Sequence, residues 1–178
     1  GALIPPKGYI EGVRALCDKY DILLIADEVM VGFGRTGKFW GFQHFEGVIP
    51  DILTSAKGLS ASVLPLAVVG MRQKIKNFFN ENPLGWGATY AKPPVALACA
   101  YESVKHVIKE RIPERAAKME SVMVDEMKSI VERHSCVRQA RAIGLFGCLD
   151  LVGPDGNMVQ QYQDANPERV VALRKAML

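Results

Sequence analysis

The sequence predicts an α/β protein: a mostly parallel sheet covered by helices, followed by the start of a smaller α/β unit. Three observations carry this. The run Ile22-Leu23-Leu24-Ile25-Ala26 is continuously apolar and ends in Asp27-Glu28, as suits a central strand covered by helices on both faces. Stretches with apolar residues at helical spacing alternate with short apolar runs. Beyond Arg138 the composition shifts to two strand-like runs separated by a glycine.

Tyr9 to Tyr20 carries Ile10, Val13, Leu16 and Cys17 at helical spacing and reads as an amphipathic helix. The strand ending at Asp27 follows. Gly32 to Gly41 holds four glycines among Phe33, Arg35, Phe39 and Trp40 and reads as a loop. Pro50 to Ala56 is predicted as a second strand and Leu66 to Met71 as a third, with the turn Lys57-Gly58-Leu59-Ser60 between them. Pro93 and Pro94 can open a helix that runs to Ile108. Pro113 to His134 is a further helix, with Ala116, Met119, Met123 and Met127 as its inner face. Val137 to Ala142 and Leu145 to Val152 read as strands, with Gly144 between them and the turn Gly153-Pro154-Asp155-Gly156 behind. The domain boundary falls within residues 109–136. We take 1–115 as the end of a large domain and 116–178 as the start of a small one.

Composition narrows the classes. Of 178 residues, 49% are hydrophobic and 23% charged, so the chain can bury enough surface to offset its ordering entropy. With 22 basic and 19 acidic side chains and no basic run, a dedicated nucleic-acid surface is not indicated. No apolar stretch reaches the ~18 residues of a membrane span. Cys17, Cys99, Cys136 and Cys148 form no CxxC pair, which argues for a reducing compartment and against structural zinc. The N-terminus lacks an initiator Met, and Leu178 falls inside a helical pattern opening near Pro167. We therefore read the sequence as an internal part of a longer enzyme, with little or no activity by itself.

The chemistry rests on two polar residues at strand ends. Ligands of open parallel sheets bind beyond the carboxyl ends of the strands, where Asp27 and Lys57 both fall. A lysine in an apolar, partly dry site can act as a Schiff-base nucleophile. A carboxylate opposite a pyridinium nitrogen keeps that nitrogen protonated, so the pair suits a pyridoxal cofactor. Taken alone, a salt bridge or two unrelated surface residues is the weightier reading, because strand-end charges are common. Arg35 and Arg141 are read as structural. His44, His106 and His134 lack metal-ligand spacing. Trp40 and Trp86 suit either a substrate channel or interface packing.

The wider pattern is specific. Asp27-Glu28-Val29, Gly32-Phe33-Gly34-Arg35-Thr36-Gly37, Pro50-Asp51-Ile52, Ala56-Lys57-Gly58, Gly87-Ala88-Thr89-Tyr90 and Arg141-Ala142-Ile143-Gly144-Leu145 occur in order. This resembles the class III (ω-) aminotransferases, pyridoxal 5'-phosphate enzymes of fold type I. The resemblance implies that Lys57 forms the internal aldimine and shuttles a proton, and that Asp27 pairs with the pyridine nitrogen. It implies that Val29 packs on the cofactor ring and that Thr89 reaches the cofactor phosphate of a neighbouring subunit in a homodimer. It implies ping-pong transfer of an amino group from an ω-amino acid or amine to a keto acid such as pyruvate or 2-oxoglutarate. An aminomutase or racemase would use the same pair; a non-catalytic domain is a further reading. No GxGxxG or GxxxxGK follows a strand, which argues against a nucleotide fold. Three positions depart from the family. Met30 stands where some members carry Gln, and Lys92-Pro93 replaces a Gly and a polar residue.

Overall fold

The structure, a computed structural model, describes residues 2–85, 87–154, 156–158 and 175. Helix α1 (Tyr9–Lys19) follows Gly8, whose φ of 83° suits a residue without Cβ. Its buried residue is Arg14, not the apolar stripe as a whole: Leu16, expected inside, is 56% exposed. The two positions lie roughly 200° apart on the helix, so a helix that turns Arg14 inward must turn Leu16 out.

Arg14 faces inward because Asp51 is there. The Asp51 side chain is fully buried and accepts from Arg14 Nη1 at 2.7 Å and from the Leu24 amide at 3.0 Å. Arg72 Nη1 and Lys74 Nζ each lie 3.3 Å from its other oxygen. Burial by itself would push the Asp51 carboxyl up. The Leu24 amide and the Arg14, Lys74 and Arg72 cations outweigh it, holding the group far below the usual carboxylate range.

Strands β1 (Ile25–Asp27) and β2 (Ile52–Ser55) pair in parallel, Ile25 against Ile52 and Asp27 against Thr54. Strand β3 (Val68–Met71) pairs antiparallel with β2. The first apolar run is extended only at its end, and it forms an edge, not a centre. Alternation places Ala26, Leu53 and Ser55 on the covered face and Ile25, Asp27, Thr54 and Val69 on the other. That second face is open: Ile25 is 59% exposed.

Helix α2 (Gln73–Glu81) was not legible in the sequence; only Ile75 and Phe79, four apart, are half-buried on it. Helix α3 (Pro94–Lys109) opens on its proline and buries Ala96 and Ala100. Helix α4 (Ile112–Arg133) buries Ala116 and Met127 and runs unbroken across residue 115. Met119 is exposed because it sits roughly 60° off the line through Ala116, Met123 and Met127. Strands β4 (Val137–Ile143) and β5 (Phe146–Leu151) form an antiparallel hairpin closed by Gly144 and Leu145. Arg141 and Asp150 pair across it, and Arg141 Nε also donates to the Ala2 carbonyl, so this arginine is structural as expected. Among the described residues no helix is long and apolar enough to cross a membrane. Trp86, Asp155, Pro167 and Leu178 lie outside the described residues.

The glycine-rich loop after β1 is held by backbone contacts. Cβ atoms at Gly34 and Gly37 would lie 3.1 Å from Pro113 and Ala117 of α4. The Leu145 amide donates to the Arg35 carbonyl at 2.9 Å, and a Cβ on Gly144 would sit 2.3 Å from the Thr36 carbonyl carbon. With φ at 56°, Gly144 carries both constraints. Gly144→Ala is therefore expected to destabilise the fold by about 2–4 kcal/mol, from left-handed strain plus overpacking. Thermal denaturation of the purified variant measures this.

Candidate active site

The site begins at the carboxyl ends of the parallel pair. Asp27 is the last residue of β1, and Lys57 opens a 3-10 turn (Lys57–Ser60) just past β2. The sequence dictates the split at Asp27-Glu28: successive side chains on an extended segment point to opposite faces. Asp27 goes to the open face. Glu28, only 2% exposed, goes to the covered one and accepts from the Gly41 and Phe42 amides at 2.7 and 2.8 Å. The carboxylate that was singled out is thus free for chemistry, while its neighbour fastens the far end of the loop.

Asp27 Oδ1 accepts from the Val29 amide at 2.9 Å, a local turn that orients the carboxylate. Three residues after Asp27, the Met30 sulfur touches Lys57 Nζ. Asp27 and Lys57 are therefore joined through the short span 27–30, yet form no ion pair among the described residues. Lys57 has φ 44°, a left-handed conformation that costs a non-glycine residue about 1–2 kcal/mol. Helix α3 holds it there: Ser103 Oγ donates to the Gly58 carbonyl at 3.3 Å, and Cys99 Sγ contacts the Ser60 carbonyl at 3.6 Å. Gly58 is required because a Cβ would lie 2.9 Å from Cβ of Phe33. Cys99 and Ser103, one helical turn apart on α3, were missed in the sequence; their i,i+4 spacing opposite a lysine turn was the available signal.

Lys57 and Val29 line one cleft of about 610 Å³ with Met30, Phe33, Arg35 and Leu145 among its walls. Asp27 does not line it; it borders an adjacent, mostly apolar cavity of about 380 Å³. Thr89 joins neither. It is exposed in a turn closed by the Ala91 amide on the Ala88 carbonyl at 2.9 Å. Lys92, where the family pattern has glycine, adopts φ 58°. That is a conformation a glycine takes without penalty. Trp40 packs edge-to-face with Phe33 and Phe39, centroids 5.0 Å away in each case. His44 Nε2 is 3.0 Å from both the Thr36 carbonyl and hydroxyl oxygens. No cluster among the described residues is placed to hold a metal ion.

The donor set fits pyridoxal phosphate. The Lys57 amine and the Val29 side chain line one cleft and the Asp27 carboxylate borders the adjacent cavity, the three functions needed to hold an aldehyde, a ring face and a ring nitrogen.

Comparison with known proteins agrees. The family model for class-III aminotransferases matches residues 1–174. The taurine–pyruvate aminotransferase of Bilophila wadsworthia is 35% identical over 158 residues, 85% of this chain and 34% of the relative. The putrescine–pyruvate aminotransferase of Pseudomonas aeruginosa is 36% identical over 153 residues, 85% of this chain and 33% of that protein. The taurine:2-oxoglutarate aminotransferase of Bifidobacterium kashiwanohense, solved with PLP and glutamate, superposes with a TM-score of 0.91 at 39% identity. That match covers 99% of this chain and 40% of the solved one. The chain thus spans about a third of the length of the curated relatives it matches.

Proposed function

The chain belongs to the class-III aminotransferase family, and from that premise we propose that it serves pyridoxal phosphate-dependent amino-group transfer. The donor is an ω-amino acid or amine, and the acceptor a keto acid such as pyruvate or 2-oxoglutarate. The observation that carries this reading is that Asp27 and Lys57 stand at the carboxyl ends of neighbouring parallel strands, linked through the Asp27–Val29 turn and the contact of Met30 with the amine.

When bound, pyridoxal phosphate supplies an electron sink that makes a carbon-bound proton removable. Lys57 would hold the cofactor aldehyde, and its Nζ is the group that would carry that proton. Asp27 would pair with the ring nitrogen and keep its positive charge in place. Val29 gives the ring an apolar wall, and the Met30 sulfur holds the amine without neutralising it as a carboxylate would. Thr89, exposed and outside the cleft, serves a phosphate bound mainly by a second copy, so the working unit is a homodimer with shared sites. Residues 1–115 form the end of the cofactor domain and 116–178 the start of the small domain.

The test is amino transfer itself. The holoenzyme given an amine donor and pyruvate should form one alanine per donor consumed. Asp27→Asn, which retains the shape and removes the charge, is expected to lower kcat roughly 10²-fold or more. Donor rearranged without any alanine would instead indicate a mutase or racemase.

A further inference from the structure

The cleft that contains Lys57 has a second charged wall residue, and it is also a cation. Arg35 lines the cleft, and among the described residues no Asp or Glu lines it; the remaining walls are apolar or small, including Val29, Phe33, Ile112 and Leu145. Two cationic residues lining one partly apolar cleft, with no acidic residue among its described walls, fit a ligand that brings its own negative charge.

The loop does not need the Arg35 side chain to keep its shape. Backbone contacts do that: the Arg35 carbonyl accepts from Leu145, the Gly34 amide donates to the Phe39 carbonyl at 3.3 Å, and Gly34 and Gly37 lie against α4. Among the described residues the Arg35 guanidinium has no ion-pair or hydrogen-bond partner, and Arg35 is exposed. The sequence reading of Arg35 as structural thus holds for its backbone only.

We infer that Arg35 is a specificity residue, receiving an acidic group of the substrate while the amine end reaches Lys57. The inference rests on the reading of Lys57 as the amine-transfer lysine, and it selects acid-bearing donors over neutral amines. A guanidinium suits this task because it is planar, always charged and able to grip both oxygens of a carboxylate. Apolar walls between the two cations suit the methylene spacer of such a donor.

The experiment compares β-alanine with its primary amide as donors for the holoenzyme, and titrates propionate calorimetrically as an acid that cannot react. Arg35→Gln is expected to lower kcat/KM for β-alanine by about 10- to 100-fold, mostly through KM, from loss of a charge-assisted bond. The same variant should change kcat/KM for the amide by less than about threefold, since that donor makes no such bond. Arg35→Lys should recover part of the loss. Propionate affinity should fall about 10-fold or more in Arg35→Gln. Equal losses on both donors, or unchanged propionate affinity, would overturn the assignment. An enzyme that transaminates neither donor, yet loses propionate binding in Arg35→Gln, would remove the amine-transfer reading and leave the anion site standing. A cofactor affinity that falls with Arg35→Gln while propionate binding persists would assign the guanidinium to the cofactor phosphate instead, and so refute the proposal.

Discussion

Replacing Lys57 with alanine is expected to abolish amino-group transfer, with kcat lower by at least about 10³-fold. Two tasks converge on the one amine, which is why no neighbour substitutes for it: of the other residues lining the cleft, Arg35 stays charged, Ser62 is a weak acid, and the rest carry no titratable side chain. The holoenzyme should at the same time lose the visible absorbance that depends on lysine attachment to the cofactor. Lys57→Arg separates charge from chemistry. It preserves the cation but not an amine that can deprotonate, so it should be as inactive as alanine. Stability should hold within about 0.5 kcal/mol, because the side chain is exposed and its turn is fixed by Ser103 and Cys99 on α3. Turnover within tenfold of the parent protein in either variant would disprove the role.

The largest expected effect on stability lies elsewhere. Asp51→Asn should cost about 3–5 kcal/mol, since it removes the buried counter-charge of Arg14 and leaves that guanidinium only the exposed Asp18. Chemical denaturation of parent and variant measures the difference. The same group sets the acid response. Its carboxyl titrates lower in the folded chain than in the unfolded chain, so protonation favours unfolding. The stabilisation is complete above the ordinary carboxylate range and drains away as pH falls below about 4. Asp150, held down first by its hydrogen bonds from Arg141, contributes in the same direction. Asp51→Asn should accordingly flatten the fall in stability below that pH. An unchanged acid profile would show that the buried cluster is not the controlling group.

Elements with strong local signals were legible in advance. The proline at the start of α3, the Gly144 turn between β4 and β5, and the apolar runs that became β2 and β3 depend on neighbours in the chain. The misses share a cause. Leu16 and Met119 were assigned inward from spacing alone, but a helix rotates to satisfy whatever it packs against: a buried carboxylate in one case, the Ala116–Met123–Met127 line in the other. Helix α2 was invisible because only two of its residues turn toward the protein.

The candidate site divides the same way. Asp27 and Lys57, their order and the strand ends that carry them are written in the sequence, because strand alternation and residue type are local properties. What the tertiary structure alone decided is which groups each one meets. The Met30 sulfur on the amine, the α3 side chains that hold the lysine turn in a left-handed conformation, and the unpartnered guanidinium of Arg35 in the same cleft all come from contacts between distant segments. Such contacts are selected by packing of the whole chain, where backbone hydrogen bonds and close glycine approaches leave a side chain either used or free, and no local pattern encodes that difference.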